Sequence, residues 1–66
     1  MSAEGNVRIM YLQTFGRVPS QGTIRSQASV WRSRMSQFVG EGMSQSDAQR
    51  KTRDIFLTDY RNSGEY

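Results

Sequence analysis

The chain has no cysteine and no histidine, and it carries a single proline and a single lysine. Without cysteine there is no disulfide, no thiolate nucleophile and no zinc site of the cysteine type. Without histidine the usual general base near neutral pH is missing as well. Long apolar runs are also lacking: no segment approaches the roughly 18 apolar residues that a membrane span needs, and no basic stretch precedes an apolar run of signal-peptide length. The expectation is a soluble chain made in the cytosol, with no membrane contact. The six acids are scattered. Asp54 and Asp59 would stand on different faces of a helix, so spacing yields neither a paired-carboxylate acid/base site nor a carboxylate cluster for a metal. A non-enzymatic chain with no cofactor, no metal and no small-molecule substrate is expected.

At 66 residues the chain is one domain at most. A domain of this size buries only about 60% of the surface its unfolded chain exposes. A hydrophobic content of 35% and a mean hydropathy of -0.73 place it at the polar end of globular sequences. Three phenylalanines, three tyrosines, one tryptophan and four methionines nevertheless argue against disorder. With no disulfide or metal to staple so small a core, oligomerisation or docking on a partner is the expected substitute. The charge of +3 comes from arginine. A guanidinium suits planar ion pairs, aromatic stacking and phosphate contacts better than an ammonium does, so the bias points to a binding surface without specifying what is bound.

Three amphipathic segments are separated by glycine-marked breaks. Val7, Met10, Tyr11, Thr14 and Phe15 fall on one helical face, with Ile9 and Leu12 read as widening it. Gly16 and Pro19 stop that helix, predicted over about 5–16. Ile24, Ala28, Trp31, Met35 and Phe38 alternate steps of four and three, which predicts a helix over about 21–39, starting near Ser20 or Thr23 and closed by Gly40 and Gly42 around Glu41. Ser44 with Asp47 three residues on forms a variant capping box. Ala48, Thr52, Ile55, Phe56 and Tyr60 then predict a helix over about 45–60, with 61–66 as a tail. No strand-type alternation occurs, so the expected fold is all-α, a small three-helix bundle forming one domain over 1–66.

Arg50, Lys51 and Arg53 make the one compact basic group. They could form a phosphate-contacting helix face, the basis of an alternative reading as a small basic nucleic-acid-binding accessory protein. They could equally be a solvated face, since Asp47 to Lys51 and Arg50 to Asp54 are i, i+4 pairs that neutralise part of the group. Arg25, Arg32 and Arg34 flank the middle seam from both edges. They either cover the core rim with their stems or ring an interface with an acidic partner. Trp31, at the centre of the seam, is either core or an interface anchor. Tyr11, Tyr60 and Tyr66 are further candidates for partner contact.

The two ends resemble a known family. Tyr11-Leu12-Gln13-Thr14-Phe15-Gly16-Arg17-Val18-Pro19 is similar to the first helix and turn of a bacterial helical domain of unknown function of the 4214 type, related in style to phycobilisome linker domains. Tyr60-Arg61-Asn62-Ser63-Gly64-Glu65-Tyr66 resembles its closing segment. Between them the chain departs from the family's pattern. The family sets a glycine about four residues before the tryptophan of its middle helix, whereas here Gly22 precedes Trp31 by nine. Five extra helical residues turn a side chain by about 140°. The resemblance implies a three-helix module without catalytic residues that serves as a building block in larger assemblies. The expected function is therefore a structural or assembly accessory protein docking on protein subunits, itself included as a homo-oligomer. A minor component of a virion or other repetitive assembly is the expected setting.

Overall fold

The computed structural model describes residues 2–63, and over these the chain forms three helices and no strand. Helix α1 spans Ala3–Phe15, α2 Gln21–Gly40 and α3 Gln45–Arg61. Each begins at a serine with extended backbone whose hydroxyl accepts an otherwise unpaired amide of the first turn. Ser2 Oγ takes the Gly5 N–H at 3.1 Å, Ser20 Oγ that of Thr23 at 3.3 Å, and Ser44 Oγ that of Asp47 at 3.2 Å. The first helix thus starts two residues earlier than its apolar pattern indicates, because Ser2 is a cap that the periodicity does not reveal. At its other end Gly16 lies at φ +72°, and its N–H returns to the Leu12 carbonyl. Gly40 is still helical; the left-handed residue that ends α2 is Gly42, at φ +100°. Arg61, expected in the tail, belongs to α3.

The core draws on all three helices. Val7, Met10 and Tyr11 of α1 pack with Trp31 of α2 and with Phe56 and Tyr60 of α3, and Ala3, Phe15, Met35 and Leu57 close around them. Trp31 meets Phe56 edge-on at 5.3 Å, and Phe56 meets Tyr60 at 5.9 Å. T-shaped pairs of this kind add about 0.5–1.5 kcal/mol each beyond the area they bury. Trp31 lies level with Phe56 and Gln27 with Tyr60, so α2 and α3 are antiparallel. Glu4 reaches Arg32 while Phe15 lines a cleft with Thr23, so α1 and α2 are antiparallel too.

Ile9 and Leu12 do not widen the core stripe of α1. They stand about 100–160° round the helix from Val7 and Met10 by its 100° step, and they are 40% and 49% exposed. The core side of α1 is completed instead by Asn6, buried, whose Nδ2 donates to the Ser2 carbonyl at 3.1 Å.

Thr52 is completely buried between Ala48 and Phe56 on the α3 stripe, and its hydroxyl has no partner among the described residues. An unmatched buried hydroxyl costs about 1–3 kcal/mol. Thr52→Val keeps the branched shape and removes that cost. The variant is expected to be more stable by about 1 kcal/mol, seen as a higher urea midpoint at unchanged slope; a lower midpoint would show that the hydroxyl is satisfied.

Candidate functional site

The C-terminal half of α1, the N-terminal half of α2 and the end of α3 enclose a cleft of about 330 Å³. Its walls are Tyr11, Phe15, Phe56 and Tyr60, with Val30 at the edge and Thr23, Gln27, Asp59 and Ser63 supplying polar atoms. Tyr11, Phe15 and Tyr60 form a closed group of rings, with centroids 4.6, 5.2 and 5.5 Å apart. Spacing delivers this group: Tyr11 and Phe15 are one turn apart on α1, and the third ring arrives from α3. The Arg17 guanidinium lies 5.5 Å from the Tyr11 ring centre and 6.0 Å from that of Phe15, so these rings already attract a cation.

Tyr60 is anchored through its hydroxyl, which donates to Gln27 Oε1 at 3.1 Å across α2 and α3. Its pKa is pushed up to about 12, first by burial and then by the neighbouring charges of Tyr11 and Asp59. A phenol held neutral this far above pH 7 is a hydrogen-bond donor and no base.

Among the residues singled out from sequence, Trp31 is 4% exposed and Tyr60 7%, so both rings are occupied inside the protomer. A partner approaching either would meet at most an edge. Tyr11 is buried with them. Tyr66 lies outside the described residues. The arginines of α2 separate. Arg32 binds Glu4, its Nη2 donating to both carboxylate oxygens at 2.6 and 2.7 Å. Glu4's own backbone amide, and then that guanidinium, hold the carboxyl below the ordinary range. Arg25 and Arg34 are exposed and form no ion pair with a described residue. By helical angle, Arg25 shares the Arg32 edge, while Arg34 continues the opposite edge formed by Thr23, Gln27 and Val30.

The Arg50, Lys51 and Arg53 group does not form one face. Lys51 Nζ lies 4.7 Å from the centre of the Phe38 ring, on the side of α3 nearest α2. Arg50 and Arg53 stand about 100° and 160° from it round the helix. The local pairs expected from sequence, Asp47 with Lys51 and Arg50 with Asp54, are not formed. For Lys51 the reason is the Phe38 ring, which offers a partly desolvated contact where an exposed i, i+4 pair offers only about 0.3–0.5 kcal/mol.

Among the described residues five large apolar side chains are exposed: Val30 at the cleft edge and, away from core and cleft, Ile9, Leu12, Val18 and Val39. Among the described residues no group of three or more His, Cys, Asp or Glu is placed to hold a metal ion. No helix there is long and apolar enough to cross a membrane. No protein family, curated protein or solved structure compared with this chain matches it.

Proposed function

We propose that the chain is a non-enzymatic assembly module that docks on other protein subunits through surface its own core leaves unused. The observation that carries this reading is α1, which is apolar on two faces. Val7, Met10 and Tyr11 fill the core, yet Ile9 and Leu12 lie side by side one turn apart on the outside. The monomer leaves that second stripe 40–49% exposed, whereas a partner surface would bury the remainder. Arg25 and Arg34, exposed and without an ion pair among the described residues, fit the polar rim of such an interface. The resemblance of the chain ends to linker-type helical domains points the same way, and a virion or other repetitive assembly is the setting proposed. The splitting of Arg50, Lys51 and Arg53 round α3 gives less support to nucleic acid as the partner.

A photo-crosslinking residue placed at Leu12 tests this reading in native material. One recurrent protein adduct is expected there, lost when Ile9→Asp is added and missing when the crosslinker is moved to Ser46. If position 12 gives no protein adduct, or no more than position 46, the reading fails.

A further inference from the structure

The cleft between the three helices has a preference for one sign of charge. Tyr11 and Phe15 stand one turn apart on α1, Phe56, Asp59 and Tyr60 recur at i, i+3 and i+4 on α3, and all five side chains line it. Spacing on two helices thus sets one carboxylate among four rings. Asp59 is exposed and has no ion-pair partner among the described residues. Its charge reaches inward. After burial itself, the neighbouring Tyr11 and Asp59 raise the Tyr60 pKa, and of those two only the carboxylate is ionised at neutral pH. A chain of net charge +3 therefore keeps a negative spot at its aromatic cleft.

The rings add to that preference. An aromatic face is the negative pole of a quadrupole, so a cation settles over it and an anion does not. The protein supplies its own example: the Arg17 guanidinium lies 5.5 Å from the Tyr11 ring centre and 6.0 Å from that of Phe15, yet Arg17 is not one of the residues that line the cleft. Among organic cations a guanidinium suits the place best. It is weakly hydrated, stacks on a ring by its plane and pairs through its edge with a carboxylate, whereas an ammonium would have to surrender a tighter hydration shell. We infer that the cleft is a binding site for a guanidinium group, stacked on the aromatic walls with its edge toward Asp59. Gln27 Oε1, which already accepts the Tyr60 hydroxyl, has a second lone pair for the same N–H edge. The volume of about 330 Å³ lies at the lower end of the roughly 300–1,000 Å³ of small-ligand sites, which leaves room for one such group and a short stem.

This inference goes beyond the assembly reading and does not depend on it. A guanidinium group can arrive on a free molecule or as the arginine side chain of another protein, and two probes separate these sources. The test is a nuclear magnetic resonance titration of the nitrogen-labelled full chain with methylguanidinium, and with a capped alanyl-arginyl-alanine peptide. Methylguanidinium is expected to shift Gln27, Asp59 and Tyr60 with a dissociation constant on the order of millimolar. Methylurea, of the same shape but uncharged, is expected to shift none of them over that range. Asp59→Asn keeps the side-chain shape and is expected to weaken binding about fivefold or more. Phe15→Leu is expected to weaken it about threefold. Asp47→Asn, which alters an exposed acid in the first turn of α3, is expected to leave it unchanged. An unchanged helical circular dichroism spectrum shows that the variants fold. A peptide that binds more tightly than methylguanidinium assigns the site to a partner's arginine, and equal or weaker binding assigns it to a free molecule. Shifts spread over every acid, equal binding of methylurea, or indifference to Asp59→Asn each overturns the proposal. A cleft that takes neither probe overturns it too, whatever else fills that space. None of these results touches the Leu12 crosslink, which judges the assembly reading by itself.

Discussion

Trp31→Ala is expected to leave the chain largely unfolded at 25 °C, losing its cooperative thermal transition. Replacing a buried tryptophan by alanine costs about 3–5 kcal/mol, because the surrounding side chains close only part of the space left behind. Trp31 is 4% exposed and meets Phe56 edge-on, so little of that cost can be avoided. Natural domains hold about 0.05–0.15 kcal/mol per residue, which for a chain of this length is roughly 3–10 kcal/mol in total. With no cysteine to form a disulfide, one substitution therefore consumes much of it. Val30→Ala is the matched control. Its neighbour in sequence faces outward, and the change is expected to move stability by less than about 0.5 kcal/mol. Circular dichroism melts of the two variants check the pair, and a cooperative Trp31→Ala melt near the wild-type temperature would refute the placement of the indole.

The second large effect is alkaline. Tyr60 has its pKa raised from the ordinary 10 to about 12, so between those values the folded chain keeps a proton that the unfolded chain has released. A folded-state pKa above the unfolded one means stability that is fully present below pH 10 and declines as pH rises toward 12. The decline is expected to lower the urea midpoint visibly across that window. Tyr60→Phe removes the titrating group together with the bond to Gln27. It is expected to be less stable by about 1 kcal/mol near pH 7 and to show a flatter alkaline decline. An equally steep decline in the phenylalanine variant would place the effect elsewhere.

The two predictions draw on residues that differed in how readable they were. The α2 seam could be taken directly from spacing: Ile24, Ala28, Trp31 and Phe38 are all buried, and Met35 packs at the edge. Apart from Val30 and Val39 that helix is mostly polar on its other faces, so one apolar stripe dominates its periodicity. Helix α1 was harder for the opposite reason. Its apolar residues cover two faces, and a stripe count cannot tell which of them meets the core when Val7 and Met10 share a segment with Ile9 and Leu12. The serine caps were only partly visible: Ser44 announces itself through Asp47, whereas Ser2 precedes Ala3 and Glu4 with no apolar onset to mark it.

The cleft was not legible at all. Its rings come from both ends of the chain, and nothing local links Phe15 to Tyr60, whose centroids are 5.5 Å apart. The Arg32–Glu4 pair is hidden in the same way, because it joins positions in two helices whose register only the fold defines. Local charge arithmetic failed for the basic group because it counts neighbours along one helix and ignores a ring brought in from another. Lys51 over Phe38 is that case.

The helices are joined by two brief connections, residues 16–20 and 41–44, and each helix packs first against the one next to it in sequence. Little chain must therefore be looped out before a stabilising contact forms, and the entropy spent in closing those loops is small. Low contact order of this kind goes with folding in microseconds to milliseconds. Such a chain would reach its final shape in less time than a ribosome, adding about 5–20 residues per second, takes to extend another by a single turn of helix.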